Sequence, residues 1–153
     1  MTSWMVPSPF GDLLLRQQGE AIVALEWCAT APPGDRPTPL LCAAEQQLRA
    51  YFAGTLTRFS LPLDPAGTPL QRRIWGGIAA IPYGHQTTYG AIARQLGTIA
   101  RVVGSAAAAN PIPILIPCHR VLAADGHLRG YSGAGGVATK RALLDLETPR
   151  LDL

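Results

Sequence analysis

The stretch NPIPILIPCHRV, residues 110–121, constrains the fold more than any other part of the chain. Proline at 111, 113 and 117 removes backbone donors and blocks both a regular helix and a central strand. What remains is an apolar segment of one stiff, irregular shape, suited to presenting a side chain or backbone groups. It ends on Cys118 and His119. A thiol becomes a nucleophile as its thiolate, and a nearby imidazole can take the proton. Adjacent residues in an extended chain point to opposite faces. Cys118 and His119 therefore pair only if the backbone bends there or a water bridges them. The dipeptide alone leaves two readings open, an inert core cysteine and a nucleophile.

The rest of the composition narrows the setting. A chain of 153 residues, 48% hydrophobic, can bury a core without disulfides. Its three cysteines, Cys28, Cys42 and Cys118, form no CxxC, which fits a compartment that keeps thiols reduced. Cys28 and Cys42 read as small buried hydrophobes. The three histidines make no zinc spacing with them, so no metal is expected. No apolar run approaches the roughly 18 residues that span a bilayer. The N-terminal MTSWMVPSPFGD lacks a basic region followed by an apolar one, so no secretory leader is expected. These features point to a cytoplasmic protein without a membrane partner.

Charge divides the chain. Residues 1–67 sum to −2 and residues 68–153 to +5. No acid occurs between Asp64 and Asp125, while Arg72, Arg73, Arg94, Arg101 and Arg120 fall in that gap. Such a segment suits a polyanion, because each phosphate contact releases counterions, and equally suits a solvated basic surface. LPLDPAGTP, residues 61–69, is turn-rich and marks a domain boundary, with domains at 1–67 and 68–153.

Periodicity supplies the elements. FGDLLLRQQGEAIVALEW predicts a hairpin of strands near 12–17 and 21–27 about Gly19. TAPPGDRPTP must be a loop. A helix follows at about 39–53, with Leu41, Ala44, Leu48, Tyr51 and Phe52 on one face and a stop at Gly54. Thr68 or a residue near it caps a helix to about 80, with Leu70, Ile74, Ile78 and Ile81 repeating at four and three and Trp75 beside them. Thr88 caps a short helix ending on Gly97, and IARVVGSAAAAN forms another that Asn110-Pro111 ends. Two short helices about a Gly-containing turn suggest a helix-turn-helix. The second is small on most faces and carries only Arg101 as a charge, which suits close approach to a DNA groove or, equally, two plainly packed helices.

The pattern NPIPILIPCHRV, with TTYG upstream, an arginine leading the next helix and GYSG downstream, resembles the O6-alkylguanine-DNA alkyltransferases, the methylated-DNA–protein-cysteine methyltransferases. The resemblance covers residues 68–153 well and extends more loosely to QLRAYFAGTLTRFSLPLD. It implies an α/β (α+β) architecture: a small RNase H-like sheet-plus-helix domain, then a helical, winged helix-turn-helix-like domain. It implies DNA repair by one irreversible transfer per molecule, from O6-alkylguanine and also O4-alkylthymine in double-stranded DNA, by a monomer without a cofactor. Cys118 matches the alkyl acceptor, His119 the base that acts through a water, and Glu147 the carboxylate that orients it. Asn110 matches the residue bracing the active-site turn. Tyr89 matches the tyrosine that helps rotate the nucleotide out and protonates the base. Arg101 matches the arginine that fills the vacated stack, with Thr88, Gly90 and Ala100 also on DNA. Carbonyls at Cys118 and Val121 match readers of the exocyclic amine, with Tyr131, Ser132, Gly133 and Pro113 also around the base. Flipping is needed because O6 lies inside the stack.

The chain departs from that pattern in places. Gly97 and Arg101 are two residues closer than usual, Val102 replaces a common alanine, and the loop after GYSG is about two residues longer, predicting a more mobile lid. Pro113 predicts that benzyl groups are also accepted. Three competitors stand beside this reading: a non-catalytic lesion binder, which would lack the cysteine; a cysteine hydrolase, which would need an oxyanion hole; and a winged-helix regulator whose cysteine is incidental.

Overall fold

The computed structural model describes residues 1–27, 36–126 and 136–148. The chain forms two compact units, Met1–Ala66 and Gly67–Leu153.

The first unit is a three-stranded antiparallel sheet with a helix. Its strands β1 (Thr2–Val6), β2 (Leu13–Gln18) and β3 (Ala21–Trp27) lie in that order. Val6 pairs with Leu13 and Leu13 with Trp27, so the hairpin falls where the alternation of residues 13–27 places it. Gly19 takes φ +61 in its turn, a conformation that costs a side-chain-bearing residue energy. β1 is a strand that periodicity did not supply: five residues are too few for a pattern, and pairing to β2 creates it. Helix α1 (Pro39–Phe52) begins at Thr38, whose side chain accepts from the Leu41 amide. It buries Leu41, Ala44, Leu48 and Tyr51, and Trp4 Nε1 donates to Glu45 Oε1 at 2.6 Å, tying β1 to the helix. Cys42 is exposed, contrary to its reading as a core residue, because it sits one position off the buried stripe. Cys28 lies outside the described residues. The turn-rich segment 61–69 also has structure: Ile22 donates to Pro62 O and accepts from the Asp64 amide, both at 2.9 Å. Backbone groups at the open edge of β3 are thereby paired.

The second unit is mainly helical. Helix α2 (Pro69–Ala79) opens with a reciprocal capping box between Thr68 and Gln71. Ile74, Trp75 and Ile78 are its buried stripe, while Leu70 remains partly exposed and Ile81 lies beyond its end. Helix α3 (Tyr89–Leu96) is capped by Thr88 and stopped by Gly97 at φ +73. Helix α4 (Ala100–Ala108) follows and receives the Trp75 indole N–H on Ala106 O at 2.8 Å. Strands β4 (Thr87–Thr88) and β5 (Val121–Leu122) form a short parallel pair. Helix α5 (Val137–Glu147), which the sequence reading did not place, closes the unit. Its N-terminus has no side-chain cap, so the usual start signal is missing.

Candidate active site

The proline-rich segment is held from within by one amide. Asn110 follows α4, and its Oδ1 accepts from the Ile112 amide at 2.9 Å. Its Nδ2 donates to Ile116 O at 2.9 Å and lies 3.2 Å from Cys118 Sγ. Ile116 N closes the loop on Ile112 O. Ile114 within it takes φ +73, a strained conformation for a β-branched residue. Residues 112–121 are all buried, Pro113 included. The strain persists because burial and the Asn110 bonds leave the loop no alternative.

Cys118–Arg120 then form a single 3-10 turn. This bend removes the objection drawn from extended geometry, because the chain is not extended there. Cys118 is 1% exposed and His119 fully buried. His119 Nε2 meets Glu147 Oε2 at 2.7 Å, so α5 brings the carboxylate across 28 residues. Arg120 grips the same carboxylate with two nitrogens: Nε donates to Oε1 at 2.7 Å and Nη2 to Oε2 at 2.9 Å. Its third nitrogen, Nη1, donates to Ile81 O at 2.6 Å, and its guanidinium lies 5.8 Å from the Tyr83 ring centre. A bidentate guanidinium keeps Glu147 ionised. An ionised Glu147 can only accept, so His119 Nε2 carries the proton and donates it in the hydrogen bond, which assigns the lone pair to Nδ1. Nδ1 is buried and has no hydrogen-bond partner among the described residues. Burial pushes the His119 pKa below its ordinary value; the bond to Glu147 and its charge oppose this, and the charges of Arg120 and Lys140 add to it. The imidazole is therefore neutral at neutral pH and carries a buried basic nitrogen.

A second cluster lies beside Cys118. Lys140 of α5 is 1% exposed, and its Nζ donates to Val121 O at 2.7 Å and to Tyr89 Oη at 3.3 Å. It sits 5.6 Å from the Tyr89 ring centre. Burial lowers the Lys140 pKa to about 8, against the pull of Cys118. Burial, then the charge of Cys118, raises the Tyr89 pKa, so its phenol stays protonated.

The structure thus brings Asn110, Cys118, His119, Val121, Glu147 and Tyr89 into one unit, together with Pro113. Ala100 and Arg101 are exposed at the start of α4. Thr88 uses its hydroxyl on the Ala91 amide at 3.1 Å. Gly90 is in the first turn of α3, where an added Cβ would lie 3.6 Å from Arg94 Nη1. Tyr131, Ser132 and Gly133, and the lengthened loop after them, lie outside the described residues. Arg120 is a correction: counted among arginines available to a polyanion, it is 6% exposed and committed to Glu147. Arg73 spends one nitrogen on Leu96 O at the end of α3. Arg72, Arg94 and Arg101 remain exposed. Lys140, Tyr83 and Arg120 as a clamp were missed; the arginine following Cys-His was the only visible signal. No group of three or more metal-ligating side chains occurs among the described residues, and no helix among them is long and apolar enough to cross a membrane.

Comparison with known proteins bears on this arrangement. Residues 69–149 match the 6-O-methylguanine DNA methyltransferase DNA binding domain, and residues 4–65 the ribonuclease-like domain of the same name. The chain is 44% identical over 152 residues to the methylated-DNA–protein-cysteine methyltransferase of Mycobacterium tuberculosis H37Rv, covering 95% of this chain and 91% of that one. It is 37% identical over 151 residues to the constitutive enzyme of that name from Bacillus subtilis, covering 92% and 91%. The crystal structure of Mycobacterium tuberculosis OGT in complex with DNA superposes with a TM-score of 0.85 at 44% identity, covering 96% of this chain and 92% of that one. With both domains matched and relatives this similar along most of their length, the chain belongs to the 6-O-methylguanine DNA methyltransferase family.

Proposed function

We propose that Cys118 is the alkyl acceptor of a single-turnover repair reaction on O6-alkylguanine in double-stranded DNA. The coarser statement follows from family membership: the chain is a transferase of DNA repair that moves a methyl group from methylated DNA to a protein cysteine. The observation that carries the residue assignment is the buried His119–Glu147 bond at 2.7 Å, with His119 Nδ1 left basic in the turn that holds Cys118.

The chemistry proceeds from that turn. The thiol proton passes to His119 Nδ1 through a water, leaving a thiolate that Asn110 Nδ2 orients. A sulfur–carbon bond forms as the carbon–O6 bond breaks, and the electron pair remains on the guanine. Tyr89 gives its phenol proton to the base and is reprotonated, through solvent, by the proton that His119 took, so overall the thiol proton ends on guanine. The product thioether has no route back, which makes the transfer irreversible and the protein spent.

Access requires the base to leave the stack. Arg101, exposed at the start of α4, fills the vacated place, while Tyr89 and Gly90 crowd the backbone. The small exposed face of α4 (Ala100, Ser105, Ala108) suits the minor groove, where readout is degenerate and repair largely sequence-independent. Val121 O and the Cys118 carbonyl read the exocyclic amine, with Pro113, Tyr131, Ser132 and Gly133 completing the pocket. O4-alkylthymine is a second substrate. The protein acts as a cytoplasmic monomer with no cofactor, and residues 1–67 serve as a scaffold for residues 68–153.

The test is intact-protein mass after incubation with a duplex carrying O6-methylguanine. Wild type gains one methyl mass and saturates at one per molecule; Cys118→Ser gains none. Tight lesion binding without mass gain would instead make the protein a recognition module.

A further inference from the structure

Helices α1, α2 and α3 start on a threonine cap, whereas α4 and α5 have no side-chain cap. Thr38, Thr68 and Thr88 each place a side-chain oxygen on a free amide at the start of α1, α2 and α3. At the start of α4 the same position is Ile99, which makes no side-chain cap bond. Isoleucine is among the poorest capping residues, because it has no side-chain oxygen to place on a free amide. Ile99 is also 62% exposed, the most exposed large hydrophobe among the described residues after Met1. One residue thus forgoes a cap and leaves an aliphatic side chain in water. Sequences break local rules in this way mainly where function demands it.

The surroundings say what covers it. Ile99 lies two residues before Arg101, on the domain that matches a DNA-binding family. Arg101 and Val102, just after Ile99, line an apolar hollow of about 280 Å³ against Leu70 and Ile74 of α2, so the start of α4 carries apolar surface as well as charge. Arg72, Arg94 and Arg101 are exposed, and no acid lies between Asp64 and Asp125 to repel phosphate. A surface that is basic, small-sided and tipped by one large aliphatic group has the composition of a minor-groove wedge, which presses an apolar side chain against a base step and loosens its stacking.

We propose that Ile99 is a second DNA-opening residue, an apolar wedge that unstacks the step beside the lesion while Arg101 fills the vacated place. This rests on the reading of Cys118 as acceptor and α4 as the groove-facing helix. The wedge assists opening of the duplex and contributes nothing where the base is already unstacked.

Ile99→Ser tests it, since serine restores the missing cap. Single-turnover transfer is measured on O6-methylguanine in a duplex and in a single-stranded oligonucleotide. In Ile99→Ser the duplex rate falls about tenfold, the scale of losing one large aliphatic contact, while the single-strand rate is unchanged. The melting temperature stays level or rises, which excludes misfolding, and Ile99→Leu restores the duplex rate. Equal loss on both substrates, or no loss on the duplex, overturns the wedge while leaving Cys118 as acceptor intact. Wild-type protein that transfers to neither substrate overturns both readings.

Discussion

At the scale of single residues, one carboxylate is shared by a permanent cation and a neutral, titratable imidazole. Arg120 is always charged and takes both oxygens of Glu147, whereas His119 takes one. The arginine satisfies the negative charge, so the histidine need not protonate to do so. Replacing Arg120 by lysine keeps a cation but loses the fork. His119 then carries more of the compensation and its pKa rises. The acid limb of the transfer rate against pH shifts upward, read by single-turnover kinetics between pH 5 and 8. An unshifted limb would show that Arg120 is only a structural strut. Glu147→Gln leaves Arg120 buried without its counter-charge and should cost about 3–5 kcal/mol in chemical denaturation. His119 also makes stability depend on pH. Its folded pKa lies below the ordinary 6.5, so the unfolded chain binds the extra proton first. The contribution is full above 6.5 and is lost as pH falls below it. A melting curve series from pH 7.5 to 5.5 should fall in wild type and be flatter in His119→Asn.

At the scale of elements, the proline-rich loop that ends at Cys118 is a strained segment secured by one side chain. Asn110→Ala removes donors and an acceptor for Ile112, Ile116 and Cys118 at once. With each buried bond worth about 1 kcal/mol and Ile114 strained, the loss should reach about 2–4 kcal/mol in denaturant unfolding. The transfer rate should fall as well, because Cys118 loses its orienting partner. Thr88→Ala, by contrast, removes a single cap from α3 and should cost about 1 kcal/mol. The helices here were readable because caps and stops are local chemistry: Thr68 with Gln71, Thr88, and Gly97 act through atoms only a few residues away. α5 was not readable, since Gly136 offers no cap oxygen and Lys140 and Glu147 interrupt its apolar stripe. Both are buried only because each has a partner from a distant part of the chain.

At the scale of the whole molecule, charge separates the two halves of the chain, −2 over residues 1–67 and +5 over 68–153, and the exposed Arg72, Arg94 and Arg101 of the second unit lie in a stretch with no acid. Binding to duplex DNA should therefore weaken steeply with salt, by titration between 50 and 200 mM. Arg101→Ala should reduce repair of a duplex far more than reaction with a free O6-alkylguanine base, because its proposed work is done in the stack. Equal losses on both would place Arg101 outside the DNA-opening step. The sequence by itself determined the hairpin, the capped helices, the irregular proline segment and the Cys-His pair at its end, all products of short-range backbone chemistry. The wider residue roles came from a motif, not from physics. Only the tertiary structure decided that Arg120 is a buried clamp and not a phosphate contact, that Lys140 bridges Val121 and Tyr89, that Cys42 faces solvent, and that residues 62–64 join a sheet edge. The physical reason is the same in each case: a side chain's charge and burial depend on partners far away in sequence, and a one-dimensional pattern carries no record of which partners arrive.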